Sequence, residues 1–131
     1  MIKLFEKLKN IIDNSYCYKS KYKVACIVEM IDGKTFEGVN VENPSFKDGL
    51  CAEQVAIGTA VAHGYTKNDF ESIYLLGSSD YSITPCFLCR QLIVEFFEMN
   101  KKIISYTMEG KVKEFKLSDL CPNVFSEKEL N

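Results

Sequence analysis

The 131-residue sequence predicts a single α/β domain with helices packed on a sheet. Three observations carry this expectation: an N-terminal run with apolar residues at helical spacing, short β-branched runs bounded by turn signals, and two helical runs that each open on a cysteine.

In chain order, Ile2, Phe5, Leu8 and Ile12 recur on one helical face while Lys3, Glu6, Lys7 and Lys9 take the others, so the first segment reads as an amphipathic helix covering one side of a sheet. Residues 16–23 lack periodicity and form the approach to a first strand. Residues 24–28 are continuously apolar and suit a buried strand, and Asp32-Gly33 turns the chain into a second strand over 35–41. Pairing stops at Asn40-Val41-Glu42-Asn43-Pro44, which frees polar side chains to line a pocket. A turn-rich run, 43–49, leads to a helix over 51–63, capped by Gly64. Residues 72–77 read as a central strand, 78–83 as a polar loop, and 86–99 as a helix apolar around its whole axis. Such a helix is buried on more than one side, which predicts an oligomer. Strands over 102–108 and 112–117, joined at Glu109-Gly110, precede an irregular tail from Ser118.

The chemistry concentrates at Cys51-Ala52-Glu53 and Pro85-Cys86-Phe87-Leu88-Cys89. Proline suits a first helical turn, so a helix starting at Pro85 or Cys86 sets Cys86 and Cys89 on one face near its positive end, where thiolates are favoured. That pair alone leaves open a redox couple, half of a structural zinc site, or two buried thiols. Cys51 also opens a helix, and three sulfurs without a fourth protein ligand match the open coordination of catalytic zinc. Glu53 stands two positions on, close enough to exchange protons with a water at the open position. His63 lies at the far end of its helix and reads as a cap.

Composition narrows the partners. A net charge of −2 and a pI near 5.5 do not supply the broad basic surface of a nucleic-acid binder. The N-terminal run mixes charge with apolar residues, so neither signal peptide nor membrane span is expected, and a cytoplasmic location follows. In that reducing setting Cys17, Cys26 and Cys121 read as buried reduced thiols.

The order of elements, with Cys-Ala-Glu and Pro-Cys-x-x-Cys at two helix starts, resembles the small zinc-dependent cytidine deaminases. The resemblance spans nearly the whole chain and implies a three-layer α/β/α cytidine-deaminase-like fold with a mixed central sheet. It implies one zinc per subunit on Cys51, Cys86 and Cys89, and hydrolytic deamination of cytidine and deoxycytidine, with Glu53 protonating the ring and helping ammonia leave. It assigns Asn40 and Glu42 to the sugar, Tyr22 (where phenylalanine is usual) to the base, the Ala52 N–H to the base carbonyl and the Thr84 carbonyl to the amine. Phe125, in Leu120-Cys121-Pro122-Asn123-Val124-Phe125, is implied to stack in a neighbouring subunit's site of a homotetramer. Where small members commonly carry an arginine after Cys-Ala-Glu, this chain has Gln54, with Arg90 placed to offset the thiolate charge.

Rival readings are a deaminase of another cytosine nucleoside such as blasticidin S, to which the run including Val55, Gly58, Thr59 and Ala60 is also similar, and a polynucleotide-editing deaminase. Outside the enzymes stands a non-catalytic zinc or thiol module.

Overall fold

Apolar residues at alternate positions divide the central strands between two cores, because successive side chains on a strand point to opposite faces. The computed structural model describes residues 2–45 and 49–130. Within them, β1 (Val24–Met30), β2 (Thr35–Val39), β3 (Phe70–Gly77), β4 (Lys102–Tyr106) and β5 (Val112–Lys116) form one sheet ordered β2-β1-β3-β4-β5. Only β3 and β4 run parallel among these strands, so the sheet is mixed.

On one face, α1 (Ile2–Ile12) lays Leu8 and Ile12 against Ala25, Ile27, Tyr74, Leu76 and Ile104. Each fully buried aliphatic side chain contributes about 1.5–3 kcal/mol, enough to hold a short helix that would not persist alone. On the other face, Cys26, Val28, Met30, Ile73, Leu75 and Ile103 meet α2 (Ala52–Ala62), α3 (Phe87–Phe96) and α4 (Leu117–Leu120). The layers are therefore helix, sheet, helices. No described helix is long and apolar enough to cross a membrane.

The Asp32-Gly33 turn forms as expected, with Gly33 at φ +90° and the Lys34 N–H donating to Asp32 Oδ1 at 3.0 Å. Several boundaries differ from the sequence expectation. β1 runs on to Met30, because Glu29 pairs with Thr35 and Ser72 and Met30 with Phe70, and the Glu29 carboxylate is satisfied there by Ser72 Oγ at 3.2 Å and Tyr74 Oη at 3.1 Å. β2 ends at Val39, and the Asn40 side chain instead takes the Val24 N–H at 3.0 Å. α3 stops at Phe96, since Phe97 turns to extended backbone. Leu117 leaves β5 and opens the unforeseen α4, buried there with its carbonyl accepting from the Cys121 N–H at 2.9 Å. Phe46, Lys47 and Asp48 of the expected turn lie outside the described residues.

β2 and β3 both finish at the edge of the sheet where β1 begins, so the helices that follow them start there together. One glycine makes this possible for α2. A Cβ on Gly38 would lie 2.4 Å from the Ala52 carbonyl oxygen and 2.6 Å from the Ala56 nitrogen, so only hydrogen allows the helix to sit this close to β2.

Candidate metal centre and active-site cavity

Cys51 is the N-cap of α2 and Cys86 the N-cap of α3, with Cys89 on the first turn of α3. The Cys86 sulfur accepts the Cys89 N–H at 3.5 Å, and Gln54 Oε1 accepts the Cys51 N–H at 2.8 Å. Helix starts leave N–H groups unsatisfied and carry positive potential, so both ends favour sulfur in its anionic form. All three sulfurs lie within 4.8 Å of one another, and Cys51 and Cys86 are 3.8 Å apart. Tetrahedral zinc with bonds of about 2.3 Å sets its sulfur ligands about 3.8 Å apart, so the donor set and its spacing fit that ion. Accessibility falls across the cluster from Cys86, exposed, through Cys51, half-buried, to Cys89, fully buried.

Protons are unequally shared among the thiols. Hydrogen bonds, first from Cys89 and then from Cys86, hold the Cys51 thiol down to about 6, whereas Cys89 is pushed up because its proton serves that same bond and because it is buried. Glu53 is 5% exposed, and burial raises its carboxyl to about 7, with the neighbouring Cys51 charge adding to the effect. A carboxyl poised there can both give and take a proton near neutrality.

Glu53, Cys51 and Cys86 open onto a cavity of about 630 Å³. Ala52, Asn40, Glu42, Tyr22 and Thr84 line it too, so the structure gathers these expected site residues around one space. The sugar-side pair is already engaged. Glu42 accepts the N–H groups of Lys19 at 3.1 Å and Ser20 at 3.0 Å and a short bond from the Ser20 hydroxyl, which together hold its carboxyl below the usual range. Asn40 bridges the Tyr22 carbonyl at 2.8 Å and the Val24 N–H.

Other expected residues lie elsewhere. Phe125 is 58% exposed and is not among the residues lining this cavity; its carbonyl accepts from Gln91 Nε2 at 2.8 Å. Arg90 spends its donors on the carbonyls of Pro85 at 2.8 Å and Leu120 at 2.9 Å and on Thr84 Oγ1 at 3.0 Å. It thus braces the cysteine loop against α4, and Gln54 likewise acts on backbone. His63 caps α2 far from the sulfurs, its ring against Phe36. Ser20, Leu50, Tyr81 and Ile83 also line the cavity, and no motif or spacing in the sequence marks them as doing so.

Residues 2–107 match the family profile described as the cytidine and deoxycytidylate deaminase zinc-binding region. The chain belongs to this deaminase family. A cytidine deaminase of Mycoplasma genitalium is 34% identical over 122 residues, 93% of this chain and 92% of that one. The solved structure of a cytidine deaminase from Burkholderia pseudomallei aligns with a TM-score of 0.89 at 34% identity, covering 94% of this chain and 97% of that one. A blasticidin-S deaminase of Bacillus cereus is 30% identical over 105 residues, 69% of this chain and 74% of that one. The deaminase family also accounts for the Cys51, Cys86 and Cys89 cluster, since its profile is that of a zinc-binding region.

Proposed function

We propose that the chain hydrolyses the amino group of cytidine and deoxycytidine, yielding the uridine nucleosides and ammonia. The observation that carries the reading is the meeting of three sulfurs beside a cavity whose wall carries Cys51, Cys86 and one buried carboxyl, Glu53, and whose volume is within the range of about 300–1,000 Å³ usual for small ligands.

Cys51, Cys86 and Cys89 hold zinc, which when bound supplies Lewis acidity and a water acidic enough to react near neutral pH. Glu53 carries the protons: it passes one from the attacking water to the ring nitrogen beside the amine-bearing carbon and the other to the departing ammonia. The Ala52 N–H meets the base carbonyl, the Thr84 carbonyl meets the amine, and the Tyr22 ring flanks the base. Asn40 and Glu42 receive the sugar, each with its remaining hydrogen-bonding capacity, since a carboxylate offers about four lone-pair sites and three donors occupy Glu42.

The working unit in this reading is a homotetramer, in which Phe125 stacks on the pyrimidine in a neighbour's site. Support comes from the exposure of Phe125 and of Phe87 and Leu88 on the outer face of α3. Six free cysteines suit the reducing cytosol as its place of action.

The likeness to blasticidin-S deaminase supports a second reading, deamination of that nucleoside, and the retained Asn40 and Glu42 favour an ordinary ribose. Ultraviolet spectra recorded with each compound separate the two. Ammonia release from cytidine tests the main reading, with Glu53→Gln as its control. The variant should keep zinc and fold while turnover drops by at least about 10²–10⁴. Turnover indifferent to that change would leave a thiol or structural zinc module as the better description.

A further inference from the structure

Residues 78–86 join β3 to α3 without regular structure, yet Tyr81, Ser82, Ile83 and Thr84 from this segment form one wall of the cavity. Lacking a ladder, such a wall takes its position from side-chain contacts. The Tyr22 phenol, which reaches it from the approach to β1, lies 2.7 Å from Ser79 Oγ. Ser79 Oγ is in turn 3.2 Å from the Tyr81 carbonyl oxygen. A carbonyl only accepts, so the single serine hydrogen goes to Tyr81 and the phenol must donate to Ser79. The chain of bonds therefore has one direction, from Tyr22 through Ser79 to the wall.

Backbone reinforces the contact. The Ser78 N–H donates to the Lys23 carbonyl at 3.0 Å, and Ser78 Oγ accepts the Lys23 N–H at 3.0 Å. Gly77 leaves room for the phenol, because a Cβ there would stand 2.7 Å from its oxygen and 3.0 Å from Ile83 Cδ1.

Ser82 Oγ donates to the Ser105 carbonyl at 3.2 Å and Arg90 holds Thr84, so the far end of the wall is anchored separately. From this geometry we infer that Tyr22 and Ser79 form a latch that fixes the Tyr81 end of the wall before substrate arrives and so sets nucleoside affinity more than the chemical step. Ser79 acts through the wall and is a positioning residue. The identity of the ligand rests on the deaminase reading above; the latch itself does not. A wall free to move must be ordered on binding, and apparent affinity then falls by the fraction of molecules already in the competent arrangement.

Limited chymotrypsin cleavage after Tyr81, together with KM and kcat for cytidine, tests the latch on zinc-loaded wild type, Tyr22→Phe, Ser79→Ala and the double variant. Both single variants should speed cleavage after Tyr81 and raise KM about five-fold, with kcat moving less. The double variant should be no worse than either single, and Ser79→Thr, which keeps a hydroxyl, should restore KM. Unchanged cleavage, an unchanged KM despite faster cleavage, or additive single effects would each overturn the latch. Wild type that fails to deaminate cytidine would remove the proposed function, while the cleavage comparison would still decide whether the latch exists.

Discussion

Replacing Glu53 with glutamine should stabilise the metal-stripped protein at alkaline pH. Burial lifts the carboxyl from its ordinary value of 4.5 to about 7. A carboxyl whose folded pKa is raised binds its proton more tightly in the folded state. Its most favourable contribution is therefore present below the unfolded value and is lost as pH rises through the folded value near 7. At 1.36 kcal/mol per pH unit, that interval is worth about 3 kcal/mol against the folded state by about pH 8. Glutamine keeps the shape without the charge, so the difference between variant and wild type should be near zero at about pH 4.5 and grow to about 3 kcal/mol at about pH 8. Urea unfolding of both proteins, with chelator and reductant, measures it. A difference that does not vary with pH, or a glutamine variant less stable at alkaline pH, would refute the reasoning.

Three further outcomes follow from the same structure. Gly38→Ala drives a Cβ into the backbone of α2 and should cost about 1–3 kcal/mol or more, while lowering zinc stoichiometry, read by thermal melting and metal analysis. Arg90→Lys keeps the charge but loses the planar fork that reaches Pro85, Leu120 and Thr84; stability should fall by about 1–2 kcal/mol in urea unfolding, and an unchanged midpoint would show that the brace is idle. Gln54→Arg sets a cation beside the thiolates and should lower the acidic-limb pKa of the turnover profile, although it forfeits the bond to the Cys51 N–H. An acidic limb that stays put or rises would count against that account.

What the sequence disclosed was what depends on neighbours along the chain. The periodicity of Ile2 to Ile12, the apolar run from Val24 and the Asp32-Gly33 turn are local signals, as are the turn-rich run that precedes the helix at Cys51 and the proline that precedes the helix at Cys86. Features made by distant partners were hidden. Ser20 engages Glu42 from 22 residues away, and Tyr22 meets Ser79 across 57. Arg90 was expected to temper the sulfurs, yet its guanidinium found carbonyls that no spacing rule reveals. The tail from Ser118 read as irregular because four residues are too few to show a helical period, and only burial of Leu117 makes α4 apparent. Phe87 and Leu88 belong to the helix whose all-round apolarity predicts a second covered side, and within one chain they stand at the surface.

The placement of the thiols on either side of β3 has a consequence for the metal-free protein. Cys51 and Cys86 are 35 residues apart and flank that strand, which pairs with both β1 and β4. Two apolar cores hold the sheet and its helices together on either face. Stripping zinc should therefore leave the scaffold folded, in contrast to small zinc modules whose folding waits for the metal.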